Sequence, residues 1–242
     1  MKATGFEFRC RFWIIGAIFW IGFSCYRWDH LNISVAVADW LAGLGTSLDS
    51  PVVDRYARII FGIGTLVVTL AALIRSWAEA YLHSSIVHDM DMHSDRLVAD
   101  GPYRYVRNPL YLGTILLAIG FAFLAGRLGF FAIAGGMIFF TYRLILREEA
   151  SLLQTQGESY RKYCELVPRL LPALRPRVPA GGGHPNWRDG FIGETFMWAC
   201  ALAMAVFTAT LRLTPYYIIL AAGFAVYFLQ NFVRRRRRSD RQ

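Results

Sequence analysis

The sequence predicts an all-α integral membrane protein of about six transmembrane helices with a polar cap on the cytoplasmic side. Three observations carry that prediction. The 242 residues are 55% hydrophobic and 15% aromatic, with a mean hydropathy of +0.36, too apolar for an ordinary soluble domain. The apolar residues fall into six runs, most of which approach, with their flanks, the ~20 residues of a spanning helix. The basic residues segregate: of the 26 Lys and Arg, all but Arg27, Arg55, Arg58, Arg127 and Arg212 fall on one side of such a six-span layout. Under the positive-inside rule that side is cytoplasmic and holds both termini.

The first run, Phe12–Tyr26, is short, with Arg9 and Arg11 placed to snorkel at its start. No small-residue cleavage site follows it, which argues against a signal peptide. The segment Asn32–Leu48 carries Asp39, Gly43 and Gly45 and reads as an interfacial or re-entrant helix, since a seventh span would carry Lys2, Arg9 and Arg11 outside. The second run, Ile59–Ile74, contains Phe61-Gly62-Ile63-Gly64. No strand precedes it, so a nucleotide loop is excluded on context and close helix packing is the reading. A first cap stretch covers Trp77–Pro109. Leu110–Leu124 and Leu128–Leu146 then form a helical hairpin. A second cap stretch, Glu148–Asp189, is helical at its front and irregular after Val167-Pro168, with Gly181-Gly182-Gly183 as a flexible joint. Phe191–Leu211 and Tyr216–Val233 close the chain as a second hairpin turning at Leu213-Thr214-Pro215. The whole, 1–242, is one membrane domain.

The hairpin brings distant residues together. Asn108 to Arg127 and Arg127 to Glu148 are each about 20 residues, and at ~1.5 Å per residue both arms climb roughly 30 Å, one hydrocarbon core. The two ends therefore meet at one membrane face, and Arg107, Asn108, Tyr111, Glu148 and Glu149 converge where lipid gives way to water. Ionisable groups at that depth default to function, against the plainer reading of a simple Arg107–Glu148 pair across the hairpin base. Pro109 suits the first position of a helix, which makes Asn108 a capping residue.

The run Gly101-Pro102-Tyr103, Arg107-Asn108-Pro109, Tyr111 and Gly113, followed by the hairpin and Glu148-Glu149, then Gly157, Tyr160, Tyr163 and Val167-Pro168, resembles the isoprenylcysteine carboxyl methyltransferase and phospholipid methyltransferase family. The resemblance covers residues 96 to 172. The family pattern has His where this chain has Asn108, which hydrogen-bonds but does not titrate near neutrality. The resemblance implies an S-adenosylmethionine-dependent membrane methyltransferase with a cytoplasmic catalytic cap and a core over 77–190. It implies a lipophilic acceptor, a prenylcysteine-type carboxylate or a phospholipid amine, at the cytoplasmic membrane of a bacterium. Cofactor binding is expected of Leu97, Val98, Ala99, Gly101, Tyr103, Arg107, Asn108, Tyr111, Glu148 and Glu149. Catalytic roles are expected of Glu148, Glu149, Arg107 and His88.

Other readings are weaker on their residues. His83, His88 and His93 with Asp89, Asp91 and Asp95 offer metal-ligand types without a zinc spacing, so no metal is expected and a loop over the cofactor is the reading. Cys10, Cys25, Cys164 and Cys200 form no C-x-x-C motif. Arg234–Arg238 reads as an anchor on anionic lipid rather than a nucleic-acid site. Arg143 and Arg147, one turn apart, suit lipid phosphate or an anionic head group equally. Two rival functions stand beside the first: a membrane reductase using a nicotinamide cofactor on a related scaffold, and a non-catalytic lipid- or quinone-binding protein.

Overall fold

The computed structural model describes residues 2–43, 51–92 and 99–239, leaving aside the side chains at 83–92, 231, 234, 235 and 237–239. Among the described residues the regular structure is helical apart from one β-bridge between Asn32 and Gly126. The helices are α1 (Gly5–Arg9), α2 (Arg11–Ser24), α3 (Ile33–Ala42), α4 (Pro51–Met92), α5 (Pro109–Ala122), α6 (Arg127–Leu166), α7 (Trp187–Gly193), α8 (Thr195–Thr210) and α9 (Leu213–Ser239). Large apolar side chains cover the outside: Trp13, Trp20, Leu66, Phe131 and Phe228 are all exposed, as expected of helices that face lipid rather than water.

Among the described residues three helices are long and apolar enough to cross a membrane: α4 over Pro51–Leu82, α6, and α9 over Leu213–Gln230. The pair α7 and α8, bent by 64°, makes a fourth if taken as one broken span. The sequence predicts six crossings, but α2 and α5 are 14 residues each, roughly 21 Å of rise. In α5 the reason is local. The motif before Pro109 winds into a short 3₁₀ turn at Gly101–Arg104, and the far end stops at the Phe123–Gly126 turn. There Asn32 donates to Leu124 O at 2.8 Å, Ser34 donates to Phe123 O at 2.8 Å, and Asp29 pairs with Arg127 at 3.0 Å. Asn32 also caps α3, which at 10 residues is too short to span; Gly45 and Leu48 lie outside the described residues.

Two expectations about the cap change. The Trp77–Pro109 stretch does not begin as a separate segment, because α4 runs on through Trp77 to Met92 with no proline after its first residue. The Gly181–Gly183 joint is pinned: Gly181 N and Gly183 N donate to the Asp100 carboxylate at 2.6 and 2.8 Å. The terminal hairpin turns at Leu211, which takes a left-handed φ of 52°, just before the expected place.

Packing follows small residues. A Cβ on Gly120 would meet Val68 and the Gly64 carbonyl, so α4 and α5 touch backbone to backbone, as the small residues of the second apolar run predict. Gly22 and Gly129 do the same between α2 and α6. The α6 helix breaks at Gly157, where φ is 55° and ψ is −126°, a conformation open only to glycine at low cost. Beyond that break the chain doubles back along the motif: Arg107 N donates to Pro168 O at 2.9 Å, Ala173 N to Tyr105 O at 2.9 Å and Arg177 N to Arg104 O at 2.8 Å.

Candidate functional site

The site stands where the base of the α5–α6 hairpin meets this returning strap. Glu149, 7% exposed, is its hub. One oxygen forms an ion pair with Arg107 Nη1 at 3.1 Å and accepts from Asn108 Nδ2 at 3.1 Å; the other accepts from Arg169 Nε at 2.9 Å. Two guanidiniums offset the cost of burying one carboxylate. Glu148 points elsewhere and accepts from the Tyr111 hydroxyl at 2.7 Å. It is half-buried, and its helix neighbour Glu149 already occupies the nearby cations.

Asn108 departs from its expected part as a helix cap. It occupies the N-cap position of α5 but makes no side-chain cap bond. Its amide instead donates to Glu149 and, at 3.0 Å, to Arg169 O. Two acceptors, one of them charged, hold the amide by its Nδ2, in an orientation in which the side chain makes no bond to the first-turn N–H groups. Pro109 sits at the first helical position as expected.

Aromatic residues wall the other side. Tyr163 donates to Tyr103 O at 2.7 Å, and Tyr160, Tyr163 and Val167 form a buried cluster with Ala99 and Val178 against it. Burial pushes the Tyr103 and Tyr163 phenols up from their usual range, so both are neutral hydroxyls near pH 7. Gly101 has φ +57°, and a Cβ there would strike the Tyr81 ring, so the start of the Gly101–Arg104 turn can lie on α4 only with glycine at this position.

The expected residues thus fall in three groups. Arg107, Asn108 and Glu149 meet directly; Tyr111 meets Glu148; Ala99, Gly101 and Tyr103 line the adjoining strap. Leu97 and Val98 and the His88 side chain lie outside the described residues, as do the side chains of His83 and His93. Arg169 went unread in the sequence, although it immediately follows Val167-Pro168. It bridges Glu149 and the Tyr142 hydroxyl (2.8 Å). Burial opposes its charge, yet Glu149 and Tyr142 together raise its pKa further. Arg143 and Arg147 do not point to lipid phosphate. Arg143 pairs with Glu7 at 2.8 Å and Arg147 donates to Ala3 O at 3.0 Å, so both clasp the N-terminal arm.

The arrangement has spare capacity for a ligand at one defined atom. Among the described residues Arg107 Nε is buried with no hydrogen-bond partner, and an unmet buried donor costs about 1–3 kcal/mol unless something accepts from it. One residue before Glu149 on α6, the half-buried Glu148 accepts from the neutral Tyr111 hydroxyl. One donor and one acceptor of opposite charge suit a zwitterion.

Residues 57–159 match the phospholipid methyltransferase family. The matched stretch holds the motif, the hairpin and the glutamate pair, and ends just before Tyr160, Tyr163 and Val167-Pro168. A protein-S-isoprenylcysteine O-methyltransferase of Schizosaccharomyces pombe is 38% identical over 110 residues, 43% of this chain and 46% of that protein. A cobalt-zinc-cadmium resistance protein of Cupriavidus metallidurans is 26% identical over 129 residues, 53% of this chain and 55% of that protein. A nickel-cobalt-cadmium resistance protein of Alcaligenes xylosoxydans xylosoxydans is 27% identical over 112 residues, 46% and 49% of the two chains. The chain spans about half the length of the curated relatives it matches. No solved structure matches it.

Proposed function

We propose that this protein is an integral membrane methyltransferase that uses S-adenosylmethionine at the hairpin base and methylates a lipophilic acceptor. The observation that carries the reading is the unpaired, buried Arg107 Nε at the hairpin base, inside the segment that matches the methyltransferase family. Residues 77–190 form the catalytic core in this reading. α2, α4, α5, α6, the bent α7–α8 pair and α9 make six crossings, the shorter ones completed by their flanks. The N-terminal arm docks on Arg143 and Arg147 near the same end of α6 as the site, in keeping with both termini on one, cytoplasmic, face.

The residues present fit the cofactor. Arg107 Nε would take its carboxylate, Glu148 its ammonium or ribose hydroxyls, and Tyr103 and Tyr111 would flank its rings and thioether. Ala99 and Gly101 belong to the stretch assigned to the adenine edge, which in sequence also includes Leu97 and Val98. When bound, the cofactor supplies a methyl group already activated by a sulfonium. The chain's own contribution is position and dryness. Glu149 holds Arg107 and Asn108 in place, and Arg169 holds Glu149. A carboxylate acceptor is ionised at neutral pH and needs no base. An amine acceptor must lose a proton, and Glu148 is the acid of the pair not occupied by guanidinium, with His88 as the second expected acid–base group. An acyl or prenyl tail favours entry from the bilayer, since each CH₂ drawn into water costs about 0.8 kcal/mol.

The test is thermal unfolding of the full chain in detergent with S-adenosylmethionine, with S-adenosylhomocysteine and with reduced nicotinamide dinucleotides. At a hundredfold excess over Kd, either sulfur compound should stabilise by about 2.7 kcal/mol. A melting temperature raised only by the nicotinamide would transfer the site to the reductase reading. No shift with any of them would leave the lipid-binding one. Mass spectrometry of lipid extracts incubated with labelled cofactor then identifies the acceptor.

A further inference from the structure

We propose that one anionic phospholipid is held between α2 and α9, its acyl chains in an apolar groove and its phosphate between Arg11 and Arg236. The groove has a volume of about 920 Å³ and is lined by Phe12 and Gly16 of α2, Phe121 of α5, Phe196 of α8, and Tyr216 and Phe232 of α9, among others. That is the size of site that encloses a whole small ligand. Along α9 it runs from Tyr216 to Phe232, roughly 24 Å at the helical rise, so it covers more than one leaflet's share of a ~30 Å hydrocarbon core.

Any such groove in a bilayer fills with hydrocarbon. What selects the occupant is the charge at one end. The Arg11 guanidinium lies over the Phe8 and Phe12 rings, 4.7 and 4.9 Å from their centroids, with Nη1 donating to Phe8 O at 3.2 Å, and the Arg236 guanidinium lies over the Phe232 ring at 4.5 Å. Phe12 and Phe232 line the groove, so both cations stand at its rim. Both also sit at the end that carries the hairpin base. On α9, Gln230 donates to Thr195 Oγ1 at 3.2 Å. Thr195 follows Glu194, which pairs with Arg75, and Arg75 donates to Leu110 O at the start of α5. On α2, Arg11 follows the arm that Arg143 and Arg147 clasp. The nearby acid, Glu7, is taken by Arg143. Two guanidiniums at the head-group level over an apolar trough match a phosphodiester above two acyl chains.

Most of the groove lies outside the segment that matches the methyltransferase family, and the lipid it holds is a resident, not an acceptor. The probe is dioleoyl phosphatidylglycerol, which has neither an amine nor a carboxylate, so its binding is independent of the methyl-transfer reading. Native mass spectrometry and melting curves of the full chain in maltoside detergent would compare it with dioleoyl phosphatidylcholine and glycerol 1-phosphate. The expected result is one phosphatidylglycerol per chain, retained at least tenfold better than phosphatidylcholine. Arg11→Gln and Arg236→Gln should each weaken it about fivefold, near 1 kcal/mol per basic residue. Gly16→Leu should displace it with both charges intact, because no atom lies within 4 Å of a Cβ at Gly16 and the new side chain would fill the trough. Equal retention of the two lipids, an equal melting shift with glycerol 1-phosphate, or undiminished binding in the double Arg variant would each overturn the proposal. A Gly16→Leu protein that still holds the lipid would remove the groove from it.

Discussion

Two arginine–glutamate pairs sit below the membrane-facing helices, and they are built to opposite ends. Arg75 meets Glu194 through both Nε and Nη2, at 2.8 and 2.7 Å, and its Nη1 donates to Leu110 O and Thr114 Oγ1. Each of its three nitrogens has a partner, and the four groups come from α4, α5 and the bend between α7 and α8. Arg107 meets Glu149 through Nη1 alone, at 3.1 Å, and its Nε has no partner. The first pair is a clasp that locks three elements. The second is a clasp left open at one donor, and an open donor in a buried place is where a ligand adds most. The two differ in the completeness of the hydrogen bonding; the open donor gains its meaning from its place in the family-matched motif, since Arg143 Nε is also buried without a partner among the described residues although Arg143 clasps the N-terminal arm.

That contrast breaks most visibly at Glu194. Glu194→Leu leaves the Arg75 charge without its carboxylate and should cost about 3–5 kcal/mol of stability, read as a large drop in melting temperature in detergent. Cofactor affinity, measured well below the new melting point, should change less than about threefold. Arg107→Gln should do the reverse, with a smaller loss of stability and a loss of affinity of about tenfold or more. If Glu194→Leu were the variant that lost binding, the open clasp would be at the wrong arginine.

The acidic neighbours sharpen the same division within one turn of helix. Glu149 is committed to Arg107, Asn108 and Arg169, whereas the partner of Glu148 is the neutral Tyr111 hydroxyl. Glu148→Gln should weaken cofactor binding about tenfold, the worth of one charge-assisted bond at roughly 1.5–3 kcal/mol, with stability nearly unchanged. Glu149→Gln should lower both, because Arg107 and Arg169 lose their shared counter-charge. Calorimetric titration beside melting curves separates the two. Equal effects on stability would mean that the pair acts as one structural unit.

The level at which the open pair meets was legible in the sequence, although its acid is Glu149 and not the Glu148 of the simple pairing; the closed pair was not legible, for a physical reason. Arg107, Asn108 and the two glutamates are separated by one hairpin, and counting residues at the helical rise is enough to bring them to one level. Arg75 and Glu194 are joined by the packing of α4 against the α7–α8 bend, 119 residues apart in sequence, and no local period announces it. The same limit hid the partners of Arg143 and Arg147, since the N-terminal arm folds back on them through tertiary contacts alone. The 64° bend near Glu194 hid inside an apolar run that reads as a single span. Where the fold did follow the pattern, at Gly64 against Gly120 or at Pro109 opening α5, the cause is steric and local.

The smallest effect tests Asn108, where the side chain does two jobs with one nitrogen. Its amide donates both protons, to Glu149 at 3.1 Å and to Arg169 O at 3.0 Å. Asn108→Ala should therefore cost about 1 kcal/mol and loosen Arg107 through Glu149. Asn108→His is the informative variant. A neutral imidazole has one N–H and can replace one of these bonds; an imidazolium has two and can replace both. A carboxylate beside it favours the charged form, so its folded pKa should lie above the usual ~6.5. The sign follows: the added stability is complete below about pH 6.5 and fades as the pH rises through the higher folded value. Melting temperature and initial methyl-transfer rate against pH, for the Asn, Ala and His proteins, give the result. If Asn108 only positions its neighbours, the His protein should approach wild-type rate where it is charged and fall toward the Ala protein where it is neutral. A His protein that gains rate as its imidazole loses the proton would instead make this position a base in the reaction.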